Sequence, residues 1–160
     1  ESFKSKDVYS LRNRNYMLGK LENHDKKEIV SIENYTIEHI LPQNPNLSKE
    51  WIDILGPNWK DIQSKYLHTI GNLTLTGYNS ELSDRPFQQK RDMPGGFKES
   101  PIGLNRTISN LDKWSQPEIE SRAVTLADLA KLVREIKYAT PALGVALLVH
   151  AQDDLAVEPA

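Results

Sequence analysis

Apolar residues recur at helical spacing toward both ends of the chain and alternate with polar ones in its middle. Between Asp7 and Glu22, Val8, Leu11, Leu18 and Leu21 fall near one face while Arg12, Arg14 and Lys20 lie elsewhere, which predicts an amphipathic helix. Asn23 to Ser31 is charged and polar and reads as a loop. Tyr35 to Leu41 is short, apolar and β-leaning, and Pro42 ends it. The long connection from Gln43 to His68 opens on the turn residues Asn44, Pro45 and Asn46. Ser48 then caps a short helix carrying Trp51, Ile54 and Leu55, which Gly56-Pro57 stops, and a second short helix is predicted from Trp59 to Tyr66.

Leu67 to Thr76 reads as a second strand, with Leu73 and Leu75 toward one face and Asn72, Thr74 and Thr76 toward the other. Asn79 to Arg91 predicts a helix that Pro86 either delays or kinks, and Met93 to Pro101 is a loop. The clearest helix follows Trp114: Ser115 caps it, Pro117, Glu118 and Glu120 suit its first turn, and Ile119, Ala123, Leu126, Ala130 and Val133 form its apolar stripe. After Tyr138 the chain turns Ala-, Pro- and Gly-rich and then acidic, which predicts a poorly ordered tail. The expected class is α+β, mostly helical. Three parts are expected: residues 1–34 as an N-terminal helix and linker packing on the core, 35–137 as the main domain, and 138–160 as the tail.

Composition narrows the function. A hydrophobic content of 38% in 160 residues supports one core and is too little for two full-sized domains. The absence of cysteine excludes a disulfide scaffold and a cysteine-ligated zinc site, and it suits a cytoplasmic protein. No apolar run approaches the ~20 residues needed to span a bilayer. The start, Glu1-Ser2-Phe3-Lys4, lacks an initiator Met and a signal core, so the sequence reads as a piece of a longer chain. The net charge of −2 offers no global attraction for nucleic acid, so phosphate contacts would have to come from a local basic group.

The chemistry concentrates in four pieces: Glu38-His39-Ile40-Leu41-Pro42, His68 to Leu75 with Gly71-Asn72 inside it, Asn79-Ser80, and Phe87 to Lys90. In order they give an acid and an imidazole at a strand end, a second strand carrying Asn, and a helix opening on another Asn. Phosphodiester cleavage needs an activated water, charge neutralisation and help for the leaving oxygen. An ordinary imidazole, with a pKa of ~6.5, can take a proton from water near neutrality. A hard divalent ion, Mg²⁺ or Mn²⁺, can neutralise the phosphate with little protein ligation beyond a carboxylate and an amide oxygen, which Glu38 and Asn79 supply. Adjacent strand residues point to opposite faces, so Glu38 and His39 share a site only where the strand ends or twists. Asn72 can bond the His39 loop or its ring. His68 either contacts phosphate, joins the site, or is a half-buried residue at a strand edge. Arg85, Lys90 and Arg91 form a compact basic group that is either a phosphate-binding face or a solvated helix surface. Trp51, Trp59 and Trp114 read as core packing.

These pieces resemble the C-terminal nuclease domain of GmrSD-type restriction enzymes, the type IV, modification-dependent class. The resemblance rests on Glu38-His39-Ile40-Leu41-Pro42-Gln43, Ile70-Gly71-Asn72-Leu73-Thr74-Leu75, Asn79-Ser80 through Lys90, and the stretch from Leu104-Asn105-Arg106 through Trp114, Ile119 and Arg122 to the Leu126 helix. It implies a ββα-metal (HNH, or His-Me finger) core embedded in helices. It further implies His39 as general base, Asn72 as the middle Asn of the motif, Glu38 and Asn79 as metal ligands, and Lys90 on phosphate. The implied setting is bacterial defence against phage, with modified DNA as substrate and an NTPase-like domain preceding this piece. The alternatives are an inactive DNA-binding or partner-docking domain, and a nonspecific or RNA-directed nuclease with the same site. The gap from Asn72 to Asn79 is shorter than in many HNH proteins.

Overall fold

The computed structural model describes residues 3–139. Its centre is a two-stranded antiparallel hairpin, β1 (Thr36–His39) and β2 (Leu73–Thr76), surrounded by helices. The pairing is regular, with Thr36 opposite Thr76 and His39 opposite Leu73. The helices are α1 (Arg14–Glu22), α2 (Lys49–Leu55), α3 (Trp59–Tyr66), α4 (Asn79–Leu82), α5 (Phe87–Asp92), α6 (Arg106–Ser109) and α7 (Gln116–Ala139). The α+β, mostly helical reading therefore holds. From residue 140 onward the expected tail lies outside the described residues.

Local signals explain most boundaries. The Ser48 side chain accepts a hydrogen bond from Trp51 N, and Gly56 at φ +79° closes α2. Glu118 reaches back to accept from Ser115 N at 2.9 Å, a capping-box bond that starts α7.

Three elements are shorter than their patterns predict. Helix α1 starts at Arg14 because the chain before it is spent otherwise: Asp7 Oδ1 takes Ser10 N in a turn, and Val8 N donates to His68 O at 2.9 Å. Strand β2 starts at Leu73, since Ile70–Asn72 form a 3₁₀ turn that rolls the Asn72 side chain inward. The helix expected from Asn79 to Arg91 is two short ones, because Ser83 adopts φ +43° and Pro86 has no N–H to continue the ladder.

Two apolar clusters cover the hairpin, and α7 serves both. Ile40, Leu41, Trp51, Phe87, Trp114 and Ile119 belong to one, Leu18, Leu73, Leu75, Ala123 and Leu126 to the other. Gly71 lets the turn touch α7: a Cβ there would stand 2.3 Å from Ile119 O. Arg122, buried on α7, donates through Nη1 to the carbonyls of Ile70, Gly71 and Leu73, at 3.2, 2.9 and 2.7 Å. It thereby ties the turn that carries Asn72 to the longest helix.

Candidate active site

The β1 ladder is unbroken through Glu38↔Thr74 and His39↔Leu73, so the carboxylate and the imidazole leave the strand on opposite faces. On one face His39 Nε2 lies 3.0 Å from His68 Nδ1. Tyr9 closes over both rings: it meets His39 edge-on at 4.6 Å between centroids and stacks on His68 at 5.3 Å with an interplanar angle of 11°. His68 is placed by its own carbonyl, which takes Val8 N and so brings the N-terminal segment onto the site.

Burial holds the His39 imidazole down to a pKa of about 3, and the neighbouring His68 and Lys90 push the same way. The ring is therefore neutral at pH 7, the state a base requires. This has a consequence for stability. The unfolded chain, whose histidine titrates near 6.5, takes up this proton before the folded one does. The contribution of His39 is complete above that value and is lost as pH falls from 6.5 toward about 3. Urea midpoints should drop between pH 7 and pH 5 in the wild type and drop less in a His39→Gln variant; parallel declines would mean that His39 is not held neutral.

On the other face, Glu38 Oε1 accepts from Lys90 Nζ at 2.5 Å, and Lys90 also donates to His39 O at 3.0 Å. The Lys90 side chain is completely buried. Burial pushes the Glu38 carboxyl up and the Lys90 ammonium down, and their mutual attraction opposes both shifts.

Asn72 braces the loop after His39 rather than its ring. Its Oδ1 accepts from Leu41 N at 2.8 Å and Trp114 Nε1 at 3.1 Å, and its Nδ2 donates to the carbonyls of Leu41 and Leu67, each at 3.0 Å. Its backbone carbonyl takes Ile40 N. Asn79 opens α4 and donates through Nδ2 to Ile37 O at 2.7 Å, which directs Oδ1 away from the strand.

The basic group read from the sequence does not form one face. Lys90 is inside, on Glu38. Arg91 is tied to Leu111 O, Asp92 and Asp112. Arg85 is exposed, with Nε on Glu81 O. The sequence pattern gave no role to Tyr9 or Arg14. Their signal was an aromatic and a cation in a stretch already explained as helix, and nothing in the spacing tied that stretch to His39.

A family model described as GmrSD restriction endonucleases, C-terminal domain, matches residues 1–129. The chain belongs to this family. The GmrSD match runs from the N-terminal segment that closes on His39 into α7, so it includes every side chain just described. Membership gives the chain a nuclease role in restriction, with DNA as the substrate. No curated protein matches the chain. No helix among the described residues is long and apolar enough to cross a membrane.

Proposed function

We propose that this GmrSD domain is an HNH-type phosphodiester endonuclease with a ββα-metal site, in which His39 is the general base. The observation that supports this most is the placement of His39, clamped by Tyr9 and in contact through Nε2 with His68, where burial favours the neutral ring. The contact with His68 Nδ1 occupies His39 Nε2; in the tautomer in which Nε2–H donates, the lone pair for accepting a proton from water is on His39 Nδ1. The lowered pKa keeps the ring unprotonated but weakens it as a base. An anionic phosphodiester docking beside it favours the protonated form and so restores basicity where it is needed. Asn72 and Lys90 serve by fixing the strand end and the loop on either side of the imidazole.

Two oxygen donors are candidates for a hard cation, Glu38 on the strand face opposite the imidazole and Asn79 at the start of α4. Lys90 occupies Oε1 of Glu38 and leaves the other carboxylate oxygen its lone pairs, while Asn79, held through Nδ2, keeps Oδ1 as an acceptor. A hard ion such as Mg²⁺ keeps several waters and needs few protein oxygens. Bound by Glu38 and Asn79, it would neutralise the phosphate and steady the leaving oxygen. An NTPase-like domain of the same protein or complex that recognises modified phage DNA would deliver the substrate in the bacterial cytoplasm.

Supercoiled plasmid incubated with the protein should be relaxed or linearised with Mg²⁺ or Mn²⁺ and stay intact with EDTA, while structured RNA is spared. DNA binding without cutting under every divalent metal would leave an inactive binding domain; preferential RNA cutting would move the substrate. The metal should also raise the melting temperature, and Asn79→Ala should remove most of that rise. An unchanged rise would put the ion elsewhere.

A further inference from the structure

Beside the Tyr9 ring that covers His39 lies a shallow cavity of about 370 Å³, lined by Tyr9, Arg14, Asn15, Thr36, Ile37 and Asn79. It sits between the start of α1 and the open end of the hairpin. Arg14 is the one charged residue in this lining. Its guanidinium stands 5.0 Å from the centre of the Tyr9 ring, and Nη1 donates to Leu11 O at 3.2 Å. Both contacts hold the planar head in place without neutralising it. Lys90, Arg91, Lys98, Lys26 and Lys49 are each paired with a carboxylate, whereas no acid within salt-bridge distance of Arg14 is found among the described residues. The opposite wall carries Asn79. Tyr9 is shared: one ring packs against the His39–His68 pair and under the Arg14 head.

We infer that this cavity is a phosphodiester-binding subsite for DNA, in which Arg14 grips a backbone phosphate and Tyr9 ties that grip to the orientation of His39. The inference rests on the nuclease reading for its place in the reaction, but not for its binding chemistry. A guanidinium presents several donors in a fixed fork that matches two phosphate oxygens, and a cation–π contact pre-orients it. Asn15, exposed on the rim, adds a neutral carboxamide in reach of the same strand. The site lies in the N-terminal stretch, so the cation that meets substrate comes from outside the strand–loop–strand–helix motif that holds the other site residues.

The test separates binding from cutting. Fluorescence anisotropy of a labelled 30-base-pair duplex, in Ca²⁺ or EDTA to suppress cleavage, gives the affinity of the full 160-residue chain across a salt series. Arg14→Gln should bind about tenfold more weakly or worse. Its slope of log affinity against log salt should be shallower by about 0.9, one phosphate contact fewer. Arg14→Lys should recover the slope and part of the affinity. Asn15→Asp, an exposed change that leaves packing alone, should also weaken binding by placing a negative charge on the rim; it answers the question if Arg14→Gln melts early. Plasmid nicking should fall with binding in the same variants. Wild-type affinity and slope in both Arg14→Gln and Asn15→Asp, or no duplex binding by the wild type at low salt, overturns the subsite. If binding is Arg14-dependent but the wild type never nicks, the subsite stands and the nuclease reading goes. If nicking is His39-dependent and indifferent to Arg14 and Asn15, the reverse is true.

Discussion

A His39→Ala protein should nick supercoiled plasmid at least 10²-fold, and up to about 10⁴-fold, more slowly than the wild type at saturating Mg²⁺, the span expected for loss of a positioned general base. Its affinity for duplex DNA in EDTA should change little, because the inferred phosphate contact is made by Arg14 on the neighbouring wall. His68→Ala should show a smaller loss. It leaves the base in place and removes the ring contact that sets which nitrogen faces water. The ordering carries the mechanistic content. If His68→Ala is as damaging as His39→Ala while both proteins keep their melting temperatures, the roles of the two imidazoles are exchanged. Equal rates in the wild type and His39→Ala remove His39 from the reaction.

How much of this could be read from the chain depended on whether the signal was local. Ser48, Gly56, Ser115 and Pro86 act on their own neighbours, and the helix ends they mark are close to those observed. Trp51 and Trp114 announce burial by their size and are fully buried. The antiparallel hairpin followed from two short β-prone segments, but its second strand was read six residues too long at its start, Leu67 against Leu73. The turn at Ile70–Asn72 is held by Arg122, which collects two of its carbonyls and that of the following Leu73 from 49 to 52 residues away in sequence. No window around the turn contains that information.

The same limit governs the site. That Asn72 would serve the loop after His39 was legible as one of two options, and its two side-chain hydrogen bonds to Leu41 realise the loop option. Tyr9 and Arg14 were invisible as site residues because their relation to His39 is made by the backbone bond from Val8 to His68. Lys90 shows the point most sharply. From sequence a lysine on an amphipathic helix next to a second basic residue, Arg91, is expected outward, whereas the fold turns it inward onto Glu38 at no measurable exposure.

That inward lysine gives the second large effect. Lys90→Met leaves the Glu38 carboxylate buried without its counter-charge, which should destabilise the protein by about 3–5 kcal/mol at pH 7. Because burial raises the carboxyl's pKa, protonation can relieve the unpaired group, so the loss should be milder at pH 5 and larger at pH 8. The double variant Glu38→Gln/Lys90→Met removes both charges and should recover much of the stability at pH 8, as read by urea unfolding, although it should not recover nicking if Glu38 also serves a cation. A lysine that instead reached out to phosphate would behave differently. Lys90→Met would then keep its urea midpoint, lose DNA affinity, and flatten the salt slope by one contact, the signature assigned above to Arg14. Stability against pH therefore decides whether Lys90 works by holding α5 and the carbonyl of His39 in register or by touching substrate, and the 2.5 Å pairing with Glu38 stands on the first of these outcomes.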